Sequence, residues 1–179
     1  STKVVKVFAA VRQTFCPCFF IIEKRISTKG RTVVRKYQLY LVEDEFAAHY
    51  FGRERIFFQL FHEHHTAYGE LKFITQKQIS YITKRVEVLK IHNLLQKQFG
   101  KMKGFKADHG GYTITLSGKL STARLEVFQE LITVEAEGSY EAETAFFEVL
   151  RKCESSFLAI DLEHERVGWL KPIKERKYV

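Results

Sequence analysis

The sequence predicts an α+β fold, a single domain in which a mainly antiparallel sheet is packed with several short helices. Three observations carry this. Segments alternating with period two gather in the second half of the chain, while segments with a 3.6-residue apolar period precede and interrupt them. The resulting order is strand, helices, several strands, helix, two strands, which is not the regular βαβ alternation of a parallel sheet. Only 2 Pro and 10 Gly occur among 179 residues, so linkers and disorder have little room. With 45% hydrophobic residues, among them 16 Phe and 8 Tyr, the chain can bury a sizeable core.

Tyr37 to Val42 (YQLYLV) is β-branched and aromatic and predicts a strand. Asp44 then suits the cap of a helix whose first turn holds Glu45 at the positive end of the dipole. On this helix Phe46 and Tyr50 are i,i+4 neighbours, and Ala47 and Phe51 form a second such pair about 100° around. Gly52 bends or ends it, and Ile56 to Phe61 (IFFQLF) reads as a further helical turn or two. Thr75 with Gln78 has the spacing of a capping box, and Ile74 with Ile79 that of a hydrophobic staple, which starts a helix at Thr75. Tyr81 leaves that helix about 130° from the midpoint of Ile79 and Ile82. From Glu87 another helix aligns Val88, Ile91, His92, Leu95 and Phe99 and closes at Gly100.

Tyr112 to Leu116, Arg124 to Phe128 and Ile132 to Ala136 alternate as strands. The stretch Ala123 to Val134 also fits a helical period through Leu125, Phe128, Leu131 and Ile132, and the strand reading is preferred. Ser139 suits the cap of a helix with the stripe Ala142, Ala145, Phe146, Val149 and Cys153. Phe157 to Ile160 and Val167 to Leu170 then form a strand pair around the charged loop Glu163 to Arg166. No internal repeat is present.

The net charge of +8 is placed unevenly. Residues 1–36 hold nine Lys or Arg and one acid, Glu23, while residues 37–179 hold twenty basic and twenty acidic residues. A DNA-binding domain concentrates positive charge on its folded face, and the body of this chain has no surplus to concentrate. Residues 1–36 therefore read as a basic N-terminal extension, either an extra terminal element or a stretch upstream of the true start, ahead of a domain over 37–179. Within it Val4 to Val11 suits a strand or a helical turn, and Thr32 to Val34 another. Cys16 and Cys18 cannot alone supply four zinc ligands, and the odd count of three cysteines fits a reducing compartment. The apolar run Cys16 to Ile22 is far short of the ~20 residues that span a bilayer, and no small-residue cleavage site follows it. A cytoplasmic protein without a membrane partner is expected.

Catalytic equipment is sparse. His62, Glu63, His64 and His65 form a cluster, but Thr66 stands where the second His of a zinc-protease helix is needed, and a solvated helix end accounts for it. Phosphate-binding and nucleophile-elbow glycine patterns are missing, and Gly110-Gly111 precedes a strand and reads as a turn. Asp161, Glu163 and Glu165 suit a charged hairpin loop better than acid–base work. A hydrolase would need His62, His65 and Asp161 to converge. No enzyme, cofactor, metal or small-molecule substrate is expected. What stands out is aromatic surplus on short helices. Phe46, Ala47, Tyr50 and Phe51 cover about 140° of circumference where about 100° suffices to join a core, so Phe46 and Tyr50 are candidates for an exposed flank. Tyr81, opposite Ile79 and Ile82, is a sharper one, and stiff aromatic side chains are enriched in protein interfaces.

The stretches YQLYLVEDEFAAHYFGRE from Tyr37, TQKQISYIT (Thr75 to Thr83), GSYEAETAFFEVL (Gly138 to Leu150), FLAID (Phe157 to Asp161) and GWLKPIKERKYV (Gly168 to Val179) resemble the sporulation inhibitor of replication (SirA) family. The similarity covers most of 37–179 and is weak from Lys101 to Glu130. The resemblance implies an inhibitor of replication initiation during sporulation that binds the N-terminal domain of the initiator DnaA and interferes with its function at the origin. It also implies that Phe46, Tyr50 and Tyr81 match aromatics of the family's binding surface. The competing reading is a nucleic-acid-binding module that uses the basic N-terminal segment.

Overall fold

The computed structural model describes residues 33–108, 110–116 and 120–171. Its elements run β1 (Arg35–Leu41), α1 (Asp44–His49), α2 (Glu54–Thr66), α3 (Gly69–Ile82), α4 (Val88–Phe99), β2 (Phe105–Asp108), β3 (Gly111–Leu116), β4 (Ser121–Val127), β5 (Ile132–Gly138), α5 (Glu141–Cys153), β6 (Phe157–Asp161) and β7 (Arg166–Trp169). The seven strands form one sheet in the order β2-β3-β4-β5-β1-β6-β7, and every neighbouring pair is antiparallel. The fold is α+β and a single domain. The first strand is thus central, with Leu39 opposite Ile132 on one side and Ala159 on the other.

Strand alternation explains the two cores. From β1, Tyr37, Leu39 and Leu41 join the cluster under α4 and α5, whereas Tyr40 and the following Val42 join a second cluster with Ala47, Phe57, Phe58, Phe61 and Ile79 of α1, α2 and α3. Phe157 and Ala159 of β6 face the first core, while Leu158 and Ile160 face the second. A strand covered on both faces has no position for a solvated side chain, which is why β6 reads as an unbroken apolar run. The strands β4 and β5 are covered on one face only. There Ala123, Leu125, Ile132 and Val134 are buried and alternate with Thr122, Arg124, Thr133 and Glu135, which are not.

Several elements depart from expectation. Strand β1 begins at Arg35, two residues before Tyr37, and Arg35 is buried against Glu143. The capping position of α1 is Glu43, and Asp44 is its first helical residue, paired with Lys84 at 3.1 Å. Thr75 does not start a helix. It lies inside α3, its hydroxyl donating to the carbonyls of Leu71 (2.9 Å) and Lys72 (3.0 Å), the usual refuge of a Thr within a helix. Ile74 faces out while Ile79 is buried, so the two form no staple. Ser139 does not cap α5 either: Tyr140 precedes the helix, and the Ala142 N–H donates to Ser121 Oγ of β4 at 3.1 Å. Strand β2, an edge strand whose exposed side chains leave no alternation to read, was not expected. The segments Val4 to Val11 and Cys16 to Ile22, the cysteines 16 and 18, and the chain's last eight residues lie outside the described residues.

Candidate protein-docking site

The site grows from the exit of β1. After Leu41 the chain forms a single bridge between Val42 and Thr83, the Glu43 N–H donates to the Ile82 carbonyl at 2.9 Å, and the Lys84 N–H to the Leu41 carbonyl at 2.7 Å. These bonds lace the start of α1 to the end of α3. Phe46, in the first turn of α1, is thereby set beside Tyr81, in the last turn of α3, with ring centroids 5.5 Å apart and planes at 66°, an edge-to-face contact.

The three aromatics are not equivalent. Tyr81 is 76% exposed. Phe46 and Tyr50 are half-buried and packed against the second core. Tyr50 caps the C-terminal end of α1 and meets the rings of His49 (4.8 Å) and Phe57 (5.7 Å), and Phe57 in turn meets Trp169 of β7 (5.7 Å). The turn from α1 into α2 is fixed by one carboxylate: Glu54 Oε1 accepts both the Gly52 N–H (2.9 Å) and the Trp169 Nε1–H (3.0 Å). Gly52 has φ +76°, which favours glycine, so it ends the helix turn as well as bending the chain.

α3 is held from its other side by α2. His64 Nδ1 lies 3.0 Å from Thr75 Oγ1, and the Lys72 ammonium donates to the His64 carbonyl. Burial, followed by the nearby Lys72 charge, holds the His64 imidazole below the ordinary histidine range. With Thr75 and Ile79 buried on its inward side, α3 is oriented so that Tyr81 points away from the core. Ile74 and Phe73, neither expected from the sequence as an exposed residue, are exposed on the same helix. Their apolar type was the signal, and in Ile74 it was absorbed into the expected staple.

The hydrolase constellation has no comparable assembly. Asp161 is buried in its own hairpin, where one carboxylate oxygen accepts the His164 N–H at 3.0 Å and the other lies 2.9 Å from His164 Nδ1. His62 stacks on Phe58 at 5.8 Å on α2. Among the described residues no group of three or more His, Cys, Asp or Glu could hold a metal ion, and no helix is long and apolar enough to cross a membrane. His92, aligned with the apolar stripe of α4 in the sequence, is exposed, with Nδ1 against the Tyr112 hydroxyl.

Residues 35–174 match the family model described as sporulation inhibitor of replication protein SirA, starting at the first residue of β1. A protein of that same name from Bacillus subtilis (strain 168) is 42% identical over 147 residues, which span 81% of this chain and 99% of that protein. The chain belongs to the SirA family of sporulation inhibitors of replication.

Proposed function

We propose that this chain inhibits the initiation of DNA replication during sporulation, acting in the cytoplasm without catalysis, by binding the N-terminal domain of the initiator DnaA through Phe46, Tyr50 and Tyr81. One observation carries the reading: an aromatic pair formed across two helices, Phe46 against Tyr81, whose outer ring is left 76% exposed. A core does not need that ring, and leaving it in water forgoes the burial of a large apolar side chain. A stiff aromatic seated on a second aromatic at the surface is the form that interface anchors take.

The test is direct. The isolated N-terminal domain of DnaA is titrated with the wild-type chain and with Tyr81→Ala. Loss of an anchor at the centre of an interface costs ~2 kcal/mol or more, about thirtyfold in affinity. Tyr81→Ala is expected to lose that much while melting with the wild type. Unchanged affinity in Tyr81→Ala removes the reading. Deleting residues 1–32, which keeps Arg35 in place, is expected to leave DnaA binding intact. A module driven by phosphate contacts would instead lose its binding and its salt dependence together.

A further inference from the structure

α3 is apolar on two sides. Thr75 and Ile79 are buried on its inward side, yet Phe73 is 60% and Ile74 44% exposed on the outward one. At 100° per residue, Ile74 lies only about 20° from the direction of Tyr81 and about 10 Å back along the axis. Lys77 falls about 40° to one side of Tyr81, midway along, and Phe73 about 80° to the same side. The Lys77 ammonium sits 4.3 Å from the centre of the Phe73 ring, and Phe73 stays 60% exposed beside it. The outward side of α3 thus carries apolar groups at two places, Tyr81 at the Phe46–Tyr81 contact and Ile74 with Phe73 toward the α2–α3 turn, with Lys77 and Gln78 exposed between them.

The size of the patch argues that both places are used. An aromatic side chain carries ~150–250 Å². At their observed exposures Tyr81, Phe46 and Tyr50 offer on the order of 250 Å² between them. An interface of standard size takes ~800 Å² from each partner, of which roughly 450–520 Å² is apolar. The three aromatics alone therefore supply about half of the apolar area that a stable complex needs. Phe73 and Ile74 add on the order of 200 Å², which brings the patch close to that value.

We infer that the docking surface continues from Tyr81 along the outward side of α3 to Ile74 and Phe73, and that the same partner domain covers all of it with one apolar surface. This rests on the reading above, that the partner is the N-terminal domain of DnaA. The experiment measures binding of that domain to four single variants: Tyr81→Ala, Phe73→Ala, Ile74→Asp and Leu89→Ala. Leu89, 78% exposed on α4, is the control for an exposed apolar residue outside the patch. Phe73→Ala and Ile74→Asp are each expected to weaken binding tenfold or more, with Leu89→Ala unchanged. If Tyr81→Ala weakens binding and neither α3 variant does, the extension is wrong while the partner assignment stands. Should none of the three change affinity, both fall. Because Ile74→Asp could disturb the helix, amide exchange on the wild-type chain gives an independent reading. Added partner is expected to slow exchange through residues 73–81, and slowing confined to residues 79–81 overturns the extension.

Discussion

Replacing Arg35 tests the frame on which the site is built. The Glu143 carboxylate, in the first turn of α5 and only 2% exposed, accepts Arg35 Nε at 3.0 and 3.1 Å, Arg35 Nη2 at 2.7 Å and the Tyr37 hydroxyl at 2.9 Å. Arg35 also donates to the Gly138 carbonyl at 2.9 Å and lies 4.3 Å over the Tyr140 ring. Burial pushes the Glu143 carboxyl above its ordinary value, with Arg35 and Tyr37 pulling against it, so the pair remains costly to desolvate even when complete. Arg35→Ala leaves a buried carboxylate without its cation, which costs ~3–5 kcal/mol. Against a typical total of ~5–15 kcal/mol that is a large fraction. Arg35→Met with Glu143→Gln removes both charges and keeps an acceptor for Tyr37, so the double variant is expected to recover most of the loss.

The assay is urea denaturation followed by circular dichroism at several pH values. The sign is fixed by linkage: a carboxyl whose folded pKa is raised stabilises the fold below its unfolded value of 4.5 and loses that contribution as pH rises through the folded value. Removing Arg35 raises the folded value further, so the deficit of Arg35→Ala is expected to shrink as pH falls from 7 toward 4.5. A chain beginning at Val33 should match the full chain in stability, and one beginning at Tyr37 should lose what Arg35→Ala loses. A loss below ~1 kcal/mol for Arg35→Ala, or a double variant as unstable as the single, would refute the argument that this is a desolvated pair.

Phe46→Ala and Tyr50→Ala should weaken binding to the DnaA N-terminal domain and also lower stability by ~1–3 kcal/mol, less than the ~3–5 of a fully buried ring; thermal melts and titrations on the same samples separate the two effects. Because the folded His64 imidazole titrates below its unfolded value of 6.5, stability is expected to be steady above that pH and to fall below it. His64→Gln should flatten the decline, and an unchanged pH profile in that variant would remove the assignment. Gly138→Ala should cost more than ~2 kcal/mol in a urea melt, because Gly138 has φ +76° and a Cβ there would stand 1.7 Å from the Leu120 carbonyl oxygen.

How much was legible depended on whether burial is local. Helices α4 and α5 bury one stripe each, so Ile91, Leu95 and Phe99, or Ala142, Phe146 and Val149, repeat at helical spacing and declare themselves. Strands β3, β4 and β5 bury one face and alternate. The start of α3 was lost because no side chain caps it at Tyr68, whereas Thr75 and Gln78 imitate a capping box six residues later. Within the site, helical geometry alone turned Tyr81 away from Ile79 and Ile82. The contact between Phe46 and Tyr81 could not be read, since it depends on bonds that lace β1 to the end of α3 some forty residues on. Nor could the packing of Tyr50 against Phe57 of the next helix, which itself rests on Trp169 more than a hundred residues on.

The two cores divide the labour of the fold. The first, under α4 and α5, is closed by fully buried side chains and the Arg35–Glu143 pair, and substitutions there should move stability alone. The second lies under three helices, two of them carrying the proposed anchors, so its packing sets where those anchors stand. Phe57 links the second core to the anchor Tyr50. It is buried between Tyr50 and Trp169, neither of which it could support if shortened. Phe57→Leu removes ring contact without opening a large cavity, at a stability cost of about 1–2 kcal/mol. If anchor position matters, it should weaken DnaA binding although Phe57 itself is buried and cannot reach a partner. A variant with reduced stability and undiminished affinity would refute this, because Tyr50 would then not need the second core to hold it in place.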